Sequence, residues 1–159
     1  MMRTNISFLL FCSMLFACVP KTQTLAPLEI QALQTNEFET TKEIAFPSVL
    51  SVFQDLGYII ESADKDTGFI TAKSATSDST SFLHILGGST FSETTRVTAF
   101  IEQIRPMYTK VRLNFVKVTK GSSAYGQQSQ QDTPLLDPKI YENAFNKIGD
   151  AIFIRQETQ

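Results

Sequence analysis

Apolar positions recur along this chain with two different periods, and the changes of period mark its elements. Phe46, Val49, Leu50, Phe53 and Leu56 fall at helical spacing and form one stripe. Thr40 or Thr41 is placed to cap this helix, and Gly57 stands where a C-terminal glycine belongs. Pro47 either stands in the first turn of this helix or lies within a helix that starts near Lys42 and bends, and the second reading is preferred. A second stripe, Tyr141, Ala144, Phe145, Ile148 and Ile152, follows Asp137-Pro138, a pair suited to the N-cap and first helical position. Gly149 in that helix implies close packing, because glycine there costs about 1 kcal/mol relative to alanine.

Between the helices the period shortens to two. Ile30 to Phe38 alternates in part and reads as a first strand. Tyr58 to Ala63 and Phe69 to Ser74 flank the turn composition Asp64-Lys65-Asp66-Thr67-Gly68 and read as a hairpin. Thr94 to Ile104 and Lys110 to Thr119 read as a second hairpin. With Pro106-Met107-Tyr108 as its loop, Ile101 pairs with Leu113 and Glu102 with Arg112. That register sets Val97 against Lys117, so a bulge near Phe115-Val116 is expected. Gly121 to Thr133, rich in Gln and Ser, reads as a polar loop. The expected fold is therefore α+β: an antiparallel sheet of about five strands, order β-α-β-β-β-β-α, with two helices on one face.

Composition narrows the picture at the N-terminus. The chain has two cysteines, Cys12 and Cys18. Arg3 is the only charge before Lys21, and Ile6 to Phe16 is apolar apart from Ser7 and Ser13. That run is short of the roughly 20 apolar residues a spanning helix needs, and it fits a secretory signal peptide. Leu15-Phe16-Ala17-Cys18 resembles the lipobox of bacterial lipoproteins. The resemblance implies removal of residues 1–17 and lipidation of Cys18. Residues 18–27 then form a lipidated tether, which holds a single domain, 28–159, near the membrane. Lipidation also accounts for an otherwise unpaired cysteine in an exported chain and leaves no thiol for catalysis. Val19 after Cys18 is compatible with the outer membrane. The formal charge of −2 and the absence of a basic block give no sign of a nucleic-acid partner.

Three further stretches are similar to a family of small Gram-negative lipoproteins. They are Leu33 to Phe38, Phe53 to Tyr58 continuing through Thr67 to Ala72, and Asp137 to Tyr141. The order of helix, Leu56-Gly57-Tyr58, hairpin and Gly68-Phe69-Ile70 also resembles the repeated domains of the C component of the β-barrel assembly machinery. Those resemblances imply a helix-grip-like α+β fold in an accessory envelope subunit. They transfer no active-site residue.

The remaining candidates for chemistry are few. His84 is the only histidine, and no carboxylate and nucleophile adjoin it in sequence to build a triad. In Asp64 to Gly68 the glycine comes fifth and the twelfth position is Ala75, which is a turn and not a calcium loop. Gly87-Gly88-Ser89 lacks the lysine of a phosphate-binding loop. Lys110, Arg112, Lys117 and Lys120 read as a solvated strand surface. The apolar patch of Phe82, Leu83, Ile85 and Leu86, inside a long connection, is the expected partner-binding segment. The function expected is that of a non-enzymatic lipoprotein at the periplasmic face of the outer membrane, an accessory subunit of an envelope complex, without cofactor or metal. The alternative is a carrier or sensor that holds a small apolar ligand between sheet and helix.

Overall fold

The computed structural model describes residues 25–78, 90–123 and 127–158. Cys18, the expected signal segment, His84 and the patch Phe82 to Leu86 lie outside these residues. The elements in order are α1 (Pro27–Gln34), β1 (Thr35–Phe38), α2 (Lys42–Asp55), β2 (Ile59–Asp64), β3 (Phe69–Lys73), β4 (Ser77–Asp78), β5 (Thr90–Arg105), β6 (Tyr108–Ser122), β7 (Gln128–Pro134) and α3 (Pro138–Glu157).

One long hairpin, β5–β6, is the axis of the sheet. Its turn is Pro106-Met107, with Arg105 opposite Tyr108 and Met107 in the left-handed region at φ 59°. A register shift between Gln103 and Arg105 takes up one residue at Ile104. Ile101 therefore pairs with Val111, Ala99 with Leu113 and Val97 with Phe115. This corrects the expected register by two residues and moves the bulge from Phe115-Val116 to the turn. The faces survive the correction because the side-chain period is two. Glu102 meets Lys110, with 2.9 Å between carboxylate and ammonium.

Around this axis the seven-stranded antiparallel sheet runs β1-β6-β5-β3-β2, with β4 beside β5 and β7 beside β6. The α+β class and the two helices, α2 and α3, on one face of the sheet are as expected. Three segments differ from expectation, the first being Ser77–Asp78, a short strand beside β5 within the expected long connection. Residues 27–34 are helical, and only Thr35 to Phe38 is strand. Pro27 at the first helical position and Glu29, whose carboxylate accepts from the Ala26 N–H at 2.8 Å, start a helix and override the weak alternation. Residues 128–134, expected as loop, pair with β6 from Val116 to Ser122 as a fully exposed edge strand.

Helix α2 begins at Lys42 and carries Pro47 inside it, as expected. Thr41 holds the N-cap position but makes no side-chain cap. Gly57, at φ +82°, ends the helix: Tyr58 N–H donates to Phe53 O and Gly57 N–H to Gln54 O, both at 2.9 Å. Asp137 caps α3 by accepting from the Lys139 N–H at 3.0 Å. All five residues of the α3 stripe are buried.

The core lies between these helices and the inner face of the sheet. Phe53, Val97, Ala99, Ile101, Val111 and Leu113 are fully buried. Rings of Phe53, Tyr58, Phe115 and Tyr141 form a chain with centroid separations of 6.0, 6.4 and 5.2 Å. Gly149 is not tightly packed: a Cβ there would meet Phe38 Cε1 at 3.6 Å, ordinary contact. Beyond the core β5 and β6 continue as an arm flanked by β4 and β7, on which Val118 is buried apart from the main cluster.

Candidate site on the outer face of the sheet

Strand alternation sends every second residue of the sheet to the face opposite the helices. On that outer face one transverse row crosses four strands: Phe69 of β3 pairs with Phe100 of β5, Phe100 with Arg112 of β6, and Arg112 with Thr35 of β1. The next row contains Thr71, Thr98 and Asn114. Between these rows lies a cleft of about 470 Å³ lined by Gln34, Phe69, Thr98, Phe100, Arg112 and Asn114, with Ala99 below.

Its two ends differ in chemistry. At one end the Phe69 and Phe100 rings lie 4.7 Å apart between centroids, and Phe69 is 52% exposed. At the other end three polar side chains hold one another. Arg112 Nη2 donates to Gln34 Oε1 at 3.2 Å, and Gln34 Nε2 donates to Asn114 Oδ1 at 3.3 Å. Gln34, the last residue of α1, is buried, so its amide is fixed by these two partners. Arg112 is exposed and, among the described residues, lies in no ion pair.

The neighbouring charges are already matched. Lys110 is bound to Glu102, Lys73 to Glu61 at 2.8 Å, and Lys117 to Glu93 at 3.5 Å. The hydrogen bond from Lys73, followed by the charges of Lys73 and Arg96, holds the Glu61 carboxyl below its ordinary value. Lys110, Arg112, Lys117 and Lys120 do not form one patch, because alternation puts Lys117 on the opposite side of β6. The Asp64 to Gly68 segment is the expected turn. Asp64 Oδ1 accepts from the N–H groups of Asp66 and Thr67 at 2.9 and 3.3 Å. The Thr67 side chain, these backbone donors and Lys42 draw its pKa down.

The cleft offers a cation, two amides, a hydroxyl and two aromatic faces. Those groups recognise charge and shape; among the described residues the lining contains no general base beside a nucleophile. Arg112, read from sequence as part of a solvated strand surface, lines this cleft, while the expected site residues Cys18, Phe82, Leu83, Ile85 and Leu86 lie outside the described residues. Among the described residues, no helix is long and apolar enough to cross a membrane. Phe82 to Leu86 fall between Asp78 of β4, which pairs with Ser92, and Thr90, where β5 begins, and lie outside the described residues. The chain matches no protein-family model and no curated protein.

Proposed function

We propose that this chain is a non-enzymatic lipoprotein held by Cys18 at the periplasmic face of the outer membrane, where it serves as an accessory subunit of an envelope complex. The observation that carries the reading is the division of the domain into a filled core and an open outer face. The interface between sheet and helices is occupied by Phe53, Phe115, Tyr141 and Ile148, all 0–1% exposed. The opposite face presents two rings, the Asn114 amide and a cation, which are binding groups. A carrier with an apolar ligand between sheet and helices has less support, because that space is taken.

The anchor is tested with labelled palmitate, which should enter the wild-type chain and not Cys18→Ser; equal labelling of both refutes it. A single acyl chain binds membranes only marginally, with a constant of about 10⁴ M⁻¹, so stable attachment needs the multiple chains of a lipoprotein. The accessory role is tested by crosslinking in cells and mass spectrometry. The expected product joins the wild-type chain to an envelope protein, and Leu83→Ser with Ile85→Ser reduces it without lowering the melting temperature. A wild-type chain that yields no such product removes the role.

A further inference from the structure

We propose that the outer-face cleft binds a small aromatic carboxylate, with the anion on Arg112 and Asn114 and the ring against Phe69 and Phe100. This inference needs no lipid anchor and no envelope complex.

The lysines on the described sheet that adjoin this region have carboxylate partners, whereas Arg112 has an amide. A guanidinium carries five N–H donors in a planar fork, and the bond to Gln34 uses one nitrogen. The remaining donors suit a carboxylate, which accepts them in parallel. Gln34 fixes the position of that fork. It is itself held by Asn114, so the polar end is ordered before a ligand arrives. Such preorganisation lowers the entropy lost on binding.

Register supplies the spacing. Phe100 is one strand from Arg112 and Phe69 is two, so the ring-bearing backbone positions lie roughly 5 and 10 Å from that of Arg112. A carboxylate joined to a ring by a short aliphatic spacer spans that distance. Thr98 and Ala99 form the floor beneath the spacer. The Phe69 ring is half-exposed and tilted 33° against Phe100, which leaves an apolar surface for a third ring. A cation without an apolar neighbour would favour a bare anion, and a ring pair without a cation would favour a neutral hydrophobe. Their union in one row selects a ligand that has both.

The test is calorimetric titration of 3-phenylpropionate into the purified full chain, beside 3-phenylpropanamide and propionate. The acid should bind, and the amide and the ringless acid should each bind at least about tenfold more weakly. Arg112→Met, which keeps the aliphatic stem, should weaken the acid by about tenfold and leave the amide unchanged. Phe100→Leu should weaken acid and amide alike. Equal affinity for acid and amide overturns the proposal, and so does undiminished binding by a folded Arg112→Met. Absence of binding by the wild type at about 10 mM acid does so as well. The acid–amide comparison uses the wild-type chain, so it stands even if a variant fails to fold.

Discussion

Arg155 and Pro47 are 108 residues apart, and Arg155 Nη2 donates to the Pro47 carbonyl at 3.4 Å. The same nitrogen reaches Ser51 Oγ at 3.1 Å, while the Ser51 hydroxyl donates to Pro47 O at 3.0 Å. The last turn of α3 is thereby fastened to the turn of α2 that contains the proline. Arg155→Met should destabilise the domain by about 1 kcal/mol, the typical net value of such bonds at a half-buried site. Urea unfolding reads this as a lower midpoint with an unchanged slope. An unchanged midpoint would mean that the contact adds nothing.

Gly57 and Gly68 share the same backbone conformation, at φ +82° and +81°, but differ in their surroundings. A Cβ at residue 57 meets open space, whereas one at residue 68 runs into the Ile101 carbonyl. Gly68 O also accepts from the Ile101 N–H at 2.9 Å, so the two backbones cannot separate without losing a bond. Gly57→Ala should cost about 1 kcal/mol from conformation alone. Gly68→Ala should cost about 2–4 kcal/mol, strain and clash combined. Thermal melts of the two variants give the comparison, and similar melting temperatures would contradict it.

Gly149→Ala is expected to stabilise the protein by about 0.5–1 kcal/mol. The added methyl makes an ordinary contact with Phe38 and removes a flexible residue from the middle of α3. A drop in melting temperature would restore the close-packing reading of this glycine.

Acid should destabilise the β2–β3 turn first. Asp64 and Glu61 both have pKa values held down in the folded state, Asp64 below the ordinary 3.8 and Glu61 below 4.5. Groups with depressed folded values contribute stability above their unfolded pKa and lose it as pH falls through the folded one. The wild-type melting temperature should therefore decline below about pH 4.5. Asp64→Asn should start lower at neutral pH and decline less steeply. Parallel curves would show that Asp64 takes no part in the acid limb.

Both main helices were legible because their stripes face one core. Tyr141, Ala144, Phe145, Ile148 and Ile152 are all buried as the spacing implied. Helix α1 was obscured by Ile30, Ala32 and Leu33, whose mixed spacing suits strand or helix equally. Strand β7 carries no apolar signal, because both its faces are exposed and backbone bonds to β6 hold it. The hairpin register was two residues out because Met107 takes a left-handed conformation without the glycine or asparagine that usually marks one. That slip also hid the cleft. The expected register sets Phe100 beside Asn114 and Arg112 beside Glu102, so the row of rings and cation emerges only when the true pairing is known.

The continuity of β5 and β6 from core to arm has a dynamic consequence. In the core these strands lie under α2 and α3, whereas in the arm their neighbours among the described residues are the two-residue β4 and the exposed β7. Fraying can therefore start at the tip near Thr90 and Ser122 and stop where helices cover the sheet. Amide hydrogens from Val97 to Ile101 then exchange with solvent through opening of the whole domain, and those from Thr90 to Thr95 through opening of the arm alone. A single pair of strands thus carries two clocks.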